Sequence, residues 1–161
     1  MDKLNFLGIG PKIARIVLPW LAVTIALTLC FKNTFIYTGT AYRSLFIAGL
    51  VVLGAGLLLY FSTLPLLLKG LKETKLISKG AYYMCCNPLY AAFLLLIIPG
   101  ISLIMNSWLV ITPTIAGYIV FKIVIKSEYQ ELEKFFGDDY RKYRETTPEF
   151  FPFPFKKWFR K

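Results

Sequence analysis

Residues 88–121 read PLYAAFLLLIIPGISLIMNSWLVITPTIAGYIVF, without a single charged side chain. A hydrocarbon core roughly 30 Å thick is crossed by about 20 helical residues rising about 1.5 Å each. The run is therefore too long for one crossing. Pro99-Gly100 and Asn106-Ser107 punctuate it, and these residue types mark breaks and turns. The reading is a tight helical hairpin with spans near 89–105 and 108–125 and its turn at Met105 to Trp108.

Two further apolar runs precede the hairpin. Ile16 to Phe31 is uncharged; extended back past Arg15 to Ile13 it makes a first span over 13–31, with Pro19 near its start. Ser44 to Leu68 carries no charge and makes a second span over 44–68. There Gly49, Gly54 and Gly56 offer a small-residue face that another helix can approach. The basic residues sort by loop. Lys3, Lys12 and Arg15 precede the first span, Lys69, Lys72, Lys75 and Lys79 follow the second, and ten more lie from Lys122 onward. The loop between spans one and two holds Lys32 and Arg43, and the hairpin turn holds none. Positive residues favour the cytoplasmic side, so both termini are expected there. The fold expected is all-α: a polytopic membrane helical bundle of about four transmembrane helices, forming one domain over 1–161. The absence of a small-residue cleavage pattern after the first apolar run argues against a cleaved signal peptide. A prokaryotic plasma membrane is the expected location.

Composition agrees with a bilayer as solvent. Hydrophobic residues make up 57% of the chain and charged residues 17%, against about a quarter charged in soluble domains. The net charge of +10 sits beside apolar runs, which reads as membrane-flanking charge rather than a nucleic-acid surface. There is no histidine, which removes the usual zinc site, the Ser-His and Cys-His nucleophile pairs and the commonest general base. Cys30 and the adjacent pair Cys85 and Cys86 have no disulfide or metal-clip spacing, and all three read as thiols. No internal repeat or low-complexity linker appears.

The cytoplasmic tail, 126–161, is expected to carry amphipathic helices. Lys126 to Phe136 keeps a helical period, with Tyr129, Leu132 and Phe136 on one face. Gly137 suits a helix C-terminus and Asp138 an N-cap for a short helix bearing Tyr140 and Tyr143. The run from Phe150 to Trp158 alternates aromatic rings with proline and then adds lysines, a composition suited to the headgroup layer of the inner surface.

Chemistry is expected where two polar stretches flank the hairpin, Lys79 to Tyr90 and Ser127 to Tyr140. The ends of a hairpin lie side by side, which brings Asn87, Tyr90 and Glu128 within reach of one pocket. Taken singly each has an ordinary explanation: Asn-Pro as a helix-entry turn, tyrosine as an interface residue, glutamate as a solvated face.

The order of elements carries more than any one of them. Gly80-x-Tyr82, Asn87-Pro88-x-Tyr90, an uncharged hairpin, Glu128-x-x-x-Leu132, Phe136-Gly137-x-x-Tyr140-x-x-Tyr143 and Pro148 follow one another. This resembles the membrane methyltransferases that include isoprenylcysteine carboxyl methyltransferases and phospholipid N-methyltransferases, over roughly Leu67 to Pro152. The resemblance implies an S-adenosylmethionine pocket built from the last helices and the tail, with Tyr82, Asn87, Pro88, Tyr90, Glu128, Leu132 and Tyr140 at it. It implies a carboxylate, Glu128, for the cofactor's ammonium or ribose hydroxyls, and an Asn87 amide that both donates and accepts. A Tyr82 or Tyr90 face would favour the sulfonium. Methyl transfer by in-line displacement draws much of its acceleration from positioning and needs no histidine when the acceptor is already a thiolate, carboxylate or amine. Two positions depart: Cys86 stands where the family has arginine, and Tyr129 where it has a second glutamate. A hydrogen bond to a charged group contributes roughly 1.5–3 kcal/mol, about tenfold or more in affinity.

Three functions stay open. The first is a methyltransferase acting on a lipid, a lipidated (prenylcysteine-like) or a small hydrophobic acceptor that enters from the bilayer. The second is a membrane reductase using a nicotinamide cofactor, whose phosphates would need Lys75, Lys79, Arg141 and Arg144; no Gly-x-Gly-x-x-Gly loop accompanies it. The third is a non-catalytic scaffold of the same architecture, in which Cys86 and Tyr129 have replaced the ionic contacts. Cys86 is also a candidate reactive thiol, against the plainer reading of a small space-filling residue.

Overall fold

The computed structural model describes residues 9–37 and 41–150. All regular elements among them are helical: α1 Gly10–Cys30, α2 Tyr42–Glu73, α3 Ala81–Met84, α4 Pro88–Ile104, α5 Thr112–Phe136 and α6 Asp138–Thr146, with a 3-10 turn at Trp108–Ile111 leading into α5. Three stretches are long and apolar enough to cross a membrane: Gly10–Cys30, Tyr42–Glu73 and Trp108–Phe136. The apolar α4 is shorter, about 26 Å at the ordinary helical rise. Large apolar side chains face outward, including Leu58, Val51, Phe61 and Ile123. Such a surface is an association hazard in water and an ordinary lipid-facing surface in a bilayer.

Small residues set the contact between α2 and α4. A Cβ at Gly49 would stand 2.8 Å from the Ile104 backbone nitrogen, one at Gly56 2.8 Å from the Leu96 Cβ, and one at Gly100 2.7 Å from the Leu53 backbone nitrogen. Gly54, expected on the same face, has nothing within 4 Å of its would-be Cβ. At about 100° per residue, positions 49 and 56 lie within about 20° of each other, whereas 54 is turned about 140° away from 49.

Pro99-Gly100 does not end a helix. The preceding stretch Ala92–Ile97 widens into a π-helical turn, and α4 continues to Ile104. Proline offers no N–H, and its ring crowds the carbonyl one turn back; local widening of the ladder accommodates both. The chain reverses at Met105 and Asn106, where Asn106 takes a left-handed φ of 51°. The loop after α1 covers this reversal: Trp108 N–H donates to Phe35 O at 2.9 Å, and Thr28 and Ser107 share a hydroxyl hydrogen bond of 2.8 Å.

α1 lies against α5 through Ile13, Val17 and Leu21. The matching stripe on α5 is Pro113, Gly117, Phe121, Ile125 and Tyr129, one residue per turn. Gly117 lets the helices approach there, since a Cβ would come within 2.5 Å of the Leu94 Cδ2 and 2.8 Å of the Val17 Cγ2, and those side chains would have to shift. The helix runs unbroken through Lys126 to Phe136, so the change to a polar composition is not a change of backbone; no glycine or proline interrupts it. Gly137, at φ 60°, ends α5 and also occupies the N-cap of α6. Asp138 is therefore the first helical residue rather than the cap. The aromatic and lysine-rich tail expected at the membrane surface lies, beyond Phe150, outside the described residues.

Candidate functional site

The site forms where three pieces of chain meet: the α3–α4 junction, the polar end of α5, and residues 147–150 after α6. Asn87 precedes α4 with Pro88 in the first helical turn, where a missing N–H costs nothing. Its side chain is 6% exposed. The Asn87 Nδ2 donates to the Tyr129 hydroxyl at 2.7 Å and to the Glu149 carbonyl at 3.1 Å. The Tyr129 hydroxyl in turn donates to Glu149 Oε1 at 3.1 Å. The second carboxylate oxygen, Oε2, pairs with Lys122, and the Lys122 ammonium stands 5.6 Å from the Tyr118 ring centroid. The Arg144 guanidinium lies 4.1 Å from the Tyr129 ring centroid.

Cys86 ties down the same crossing segment: its N–H donates to Pro148 O at 2.8 Å and its thiol to Thr147 O at 3.5 Å. The Phe150 ring packs edge-on against Phe121 at 4.4 Å and Tyr118 at 5.7 Å between centroids. α6 is fastened by Tyr143, whose hydroxyl donates to Tyr82 O at 2.6 Å. Burial raises the Tyr82, Tyr140 and Tyr143 hydroxyls above the ordinary phenol range, so these side chains remain neutral donors. Burial likewise pushes the Cys85 thiol up to about 11.

Glu128 and Tyr129 are adjacent on α5 and so point about 100° apart. The Glu128 carboxylate is partly buried and accepts the Ile9 N–H at 3.1 Å, at the start of α1. Tyr82 is close enough to feel its charge. Tyr90 packs against Phe121 at 5.4 Å, and Leu132 joins the core with Tyr129 and Tyr140. The residues singled out from the sequence thus divide. Asn87 meets Tyr129, with Tyr140 6.4 Å from that ring; Glu128 sits on the neighbouring face of α5 toward α1.

The sequence reading did not single out Glu149, Lys122 or the Arg144–Tyr129 contact as parts of the site. Lys122 had a legible signal: it is the first charge after the uncharged run, and an ionisable residue at such a place calls for a partner. Two of the four basic residues considered for a dinucleotide are paired with separate acids. Lys75 pairs with Glu73 at 3.4 Å, and Arg141 with Glu133 at 3.0 Å and Asp138 at 3.6 Å. No group of three or more metal-ligating side chains occurs among the described residues. Compared with protein-family models, with curated proteins and with solved structures, the chain matches none.

Proposed function

We propose that this chain is a membrane-embedded methyltransferase that takes its methyl group from S-adenosylmethionine and transfers it to a lipid or lipidated acceptor at the cytoplasmic face. In this reading the bundle has four spans, α4 being the short one, with both termini on the cytoplasmic side. The observation that carries the reading is the convergence of Asn87, Tyr129 and Glu149 at the polar end of α5, with Glu128 on the adjoining face of the same helix.

The donor set suits the cofactor's chemistry. Glu128 and Glu149 are carboxylate acceptors for an ammonium or ribose hydroxyls, and Asn87 offers an amide donor and acceptor. Tyr82 and Tyr90, both half-buried, offer aromatic surface. When bound, the cofactor supplies an activated methyl on a sulfonium; the chain's residues hold and orient it and exclude water. The half-exposed apolar faces of α2 and α5 leave the acceptor's hydrocarbon part in the bilayer. One observation favours a non-catalytic scaffold as second reading: residues 147–150 cross the site and satisfy its polar groups internally.

The test is calorimetric titration of S-adenosylmethionine into detergent-purified protein, with a Glu128→Gln control that keeps an acceptor for the Ile9 N–H. Micromolar binding weakened about tenfold or more in the control is the expected outcome, on the scale of a charge-assisted hydrogen bond. No binding by well-folded protein overturns the reading in favour of the scaffold.

A further inference from the structure

Lys122, the residue directly after the core residue Phe121 on α5, forms an ion pair with Glu149 at the point where the uncharged run ends. An ionisable side chain at the edge of an apolar run calls for a partner, and here that partner is Glu149. Glu149 is held at two points: the Tyr129 hydroxyl donates to its carboxylate Oε1, and the Asn87 amide to its backbone carbonyl. The ammonium it receives lies beside the Tyr118 ring, and Phe150 packs against that ring in turn. A fixed carboxylate next to aromatic faces is the chemistry that recognises ammonium and sulfonium cations. The pair is also open to exchange, with side chains 45% and 31% exposed.

We propose that Glu149, with Tyr118 beside it, is the cation-binding end of this site, and that Lys122 is an internal occupant displaced by the positive group of the ligand. The identity of that ligand rests on the methyltransferase reading above. The inference also accounts for Tyr129: it carries no charge, but its hydroxyl orients a carboxylate brought in from twenty residues further along. A purely structural role predicts something different. If the pair only fastens residues 147–150, then removing either partner loosens the same contact and shifts binding in the same direction.

The experiment titrates S-adenosylmethionine into the full chain in detergent, as wild type, Glu149→Gln and Lys122→Gln, with the melting temperature of each sample recorded. Glu149→Gln is expected to weaken binding about tenfold or more. Lys122→Gln is expected to tighten it about two- to five-fold, the release of a half-exposed competing ion pair. Opposite signs support the inference even where both variants lower the melting temperature, and Lys122→Gln alone decides it should Glu149→Gln fail to fold. Binding that both variants weaken, or that Glu149→Gln retains in full, overturns this inference while leaving the methyltransferase reading in place. No binding by the wild type and by Lys122→Gln alike overturns that reading, and this inference with it.

Discussion

Replacing Tyr129 with phenylalanine removes one hydroxyl and keeps the ring beneath the Arg144 guanidinium, so it isolates the bridge between Asn87 and Glu149. Two hydrogen bonds are lost, the 2.7 Å bond from Asn87 and the 3.1 Å bond to the Glu149 carboxylate. Neither partner is stranded: Asn87 keeps the Glu149 carbonyl and the carboxylate keeps Lys122. The loss is therefore the net worth of the bonds rather than a full desolvation penalty. A neutral bond contributes about 0.5–1.5 kcal/mol and a charge-assisted one about 1.5–3. The Glu149 side chain is 31% exposed, so water replaces part of the second, and about 2 kcal/mol is expected. For a chain of this length that corresponds to a fall of about 4–8 °C in melting temperature, measurable by thermal unfolding in detergent. The Asn87→Ala variant closes a double-mutant cycle, and a coupling of about 0.5 kcal/mol or more is expected for side chains in contact. A fall below about 1 °C, or strict additivity with Asn87→Ala, would refute the bridge.

Other expectations follow from packing and titration. Gly100→Ala drives a Cβ to 2.7–2.9 Å from the Leu53 backbone and is expected to cost at least about 1–3 kcal/mol, whereas Gly54→Ala meets nothing and should be neutral or stabilising by up to about 1 kcal/mol; equal melting temperatures would sink the α2–α4 contact. With Cys30 and Cys86 changed to serine, alkylation of Cys85 should accelerate about tenfold per pH unit between pH 8 and 10, because burial pushes its thiol up to about 11; a plateau below pH 9 would contradict the burial. Because the folded value is the raised one, the native state holds the extra proton. The stability from this thiol is thus present below its ordinary value of 9.0 and lost as pH rises through about 11.

The apolar helices and the reversal at Met105–Asn106 were legible because each rests on local information: runs without charge, their length, and turn-forming residues between them. Even there local reading stopped at packing. Gly49, Gly54 and Gly56 look alike in the sequence, yet only Gly49 and Gly56 meet α4. Pro99-Gly100 punctuates the span read over 89–105, and the π-helical turn before it, which nothing in the sequence marks, is what carries the helix through. At the site, Asn87 was legible from its place before Pro88, and Glu128 from its place after the apolar run. Which partner each takes was not.

The sequence alone determined that this chain is helical, apolar over lengths that suit a bilayer, without histidine, and polar in two stretches on either side of one long uncharged run. These follow from composition and periodicity, which act residue by residue along the chain. Only the tertiary structure decided that Asn87 meets Tyr129, that Glu128 turns to the start of α1, and that Glu149 comes back to join Lys122. The physical reason is the reversal at Gly137, followed by the anchoring of Tyr143 on Tyr82 and of Cys86 on Pro148. Together these return residues 147–150 across α5 and bring a carboxylate to a place that no local pattern in the sequence marks.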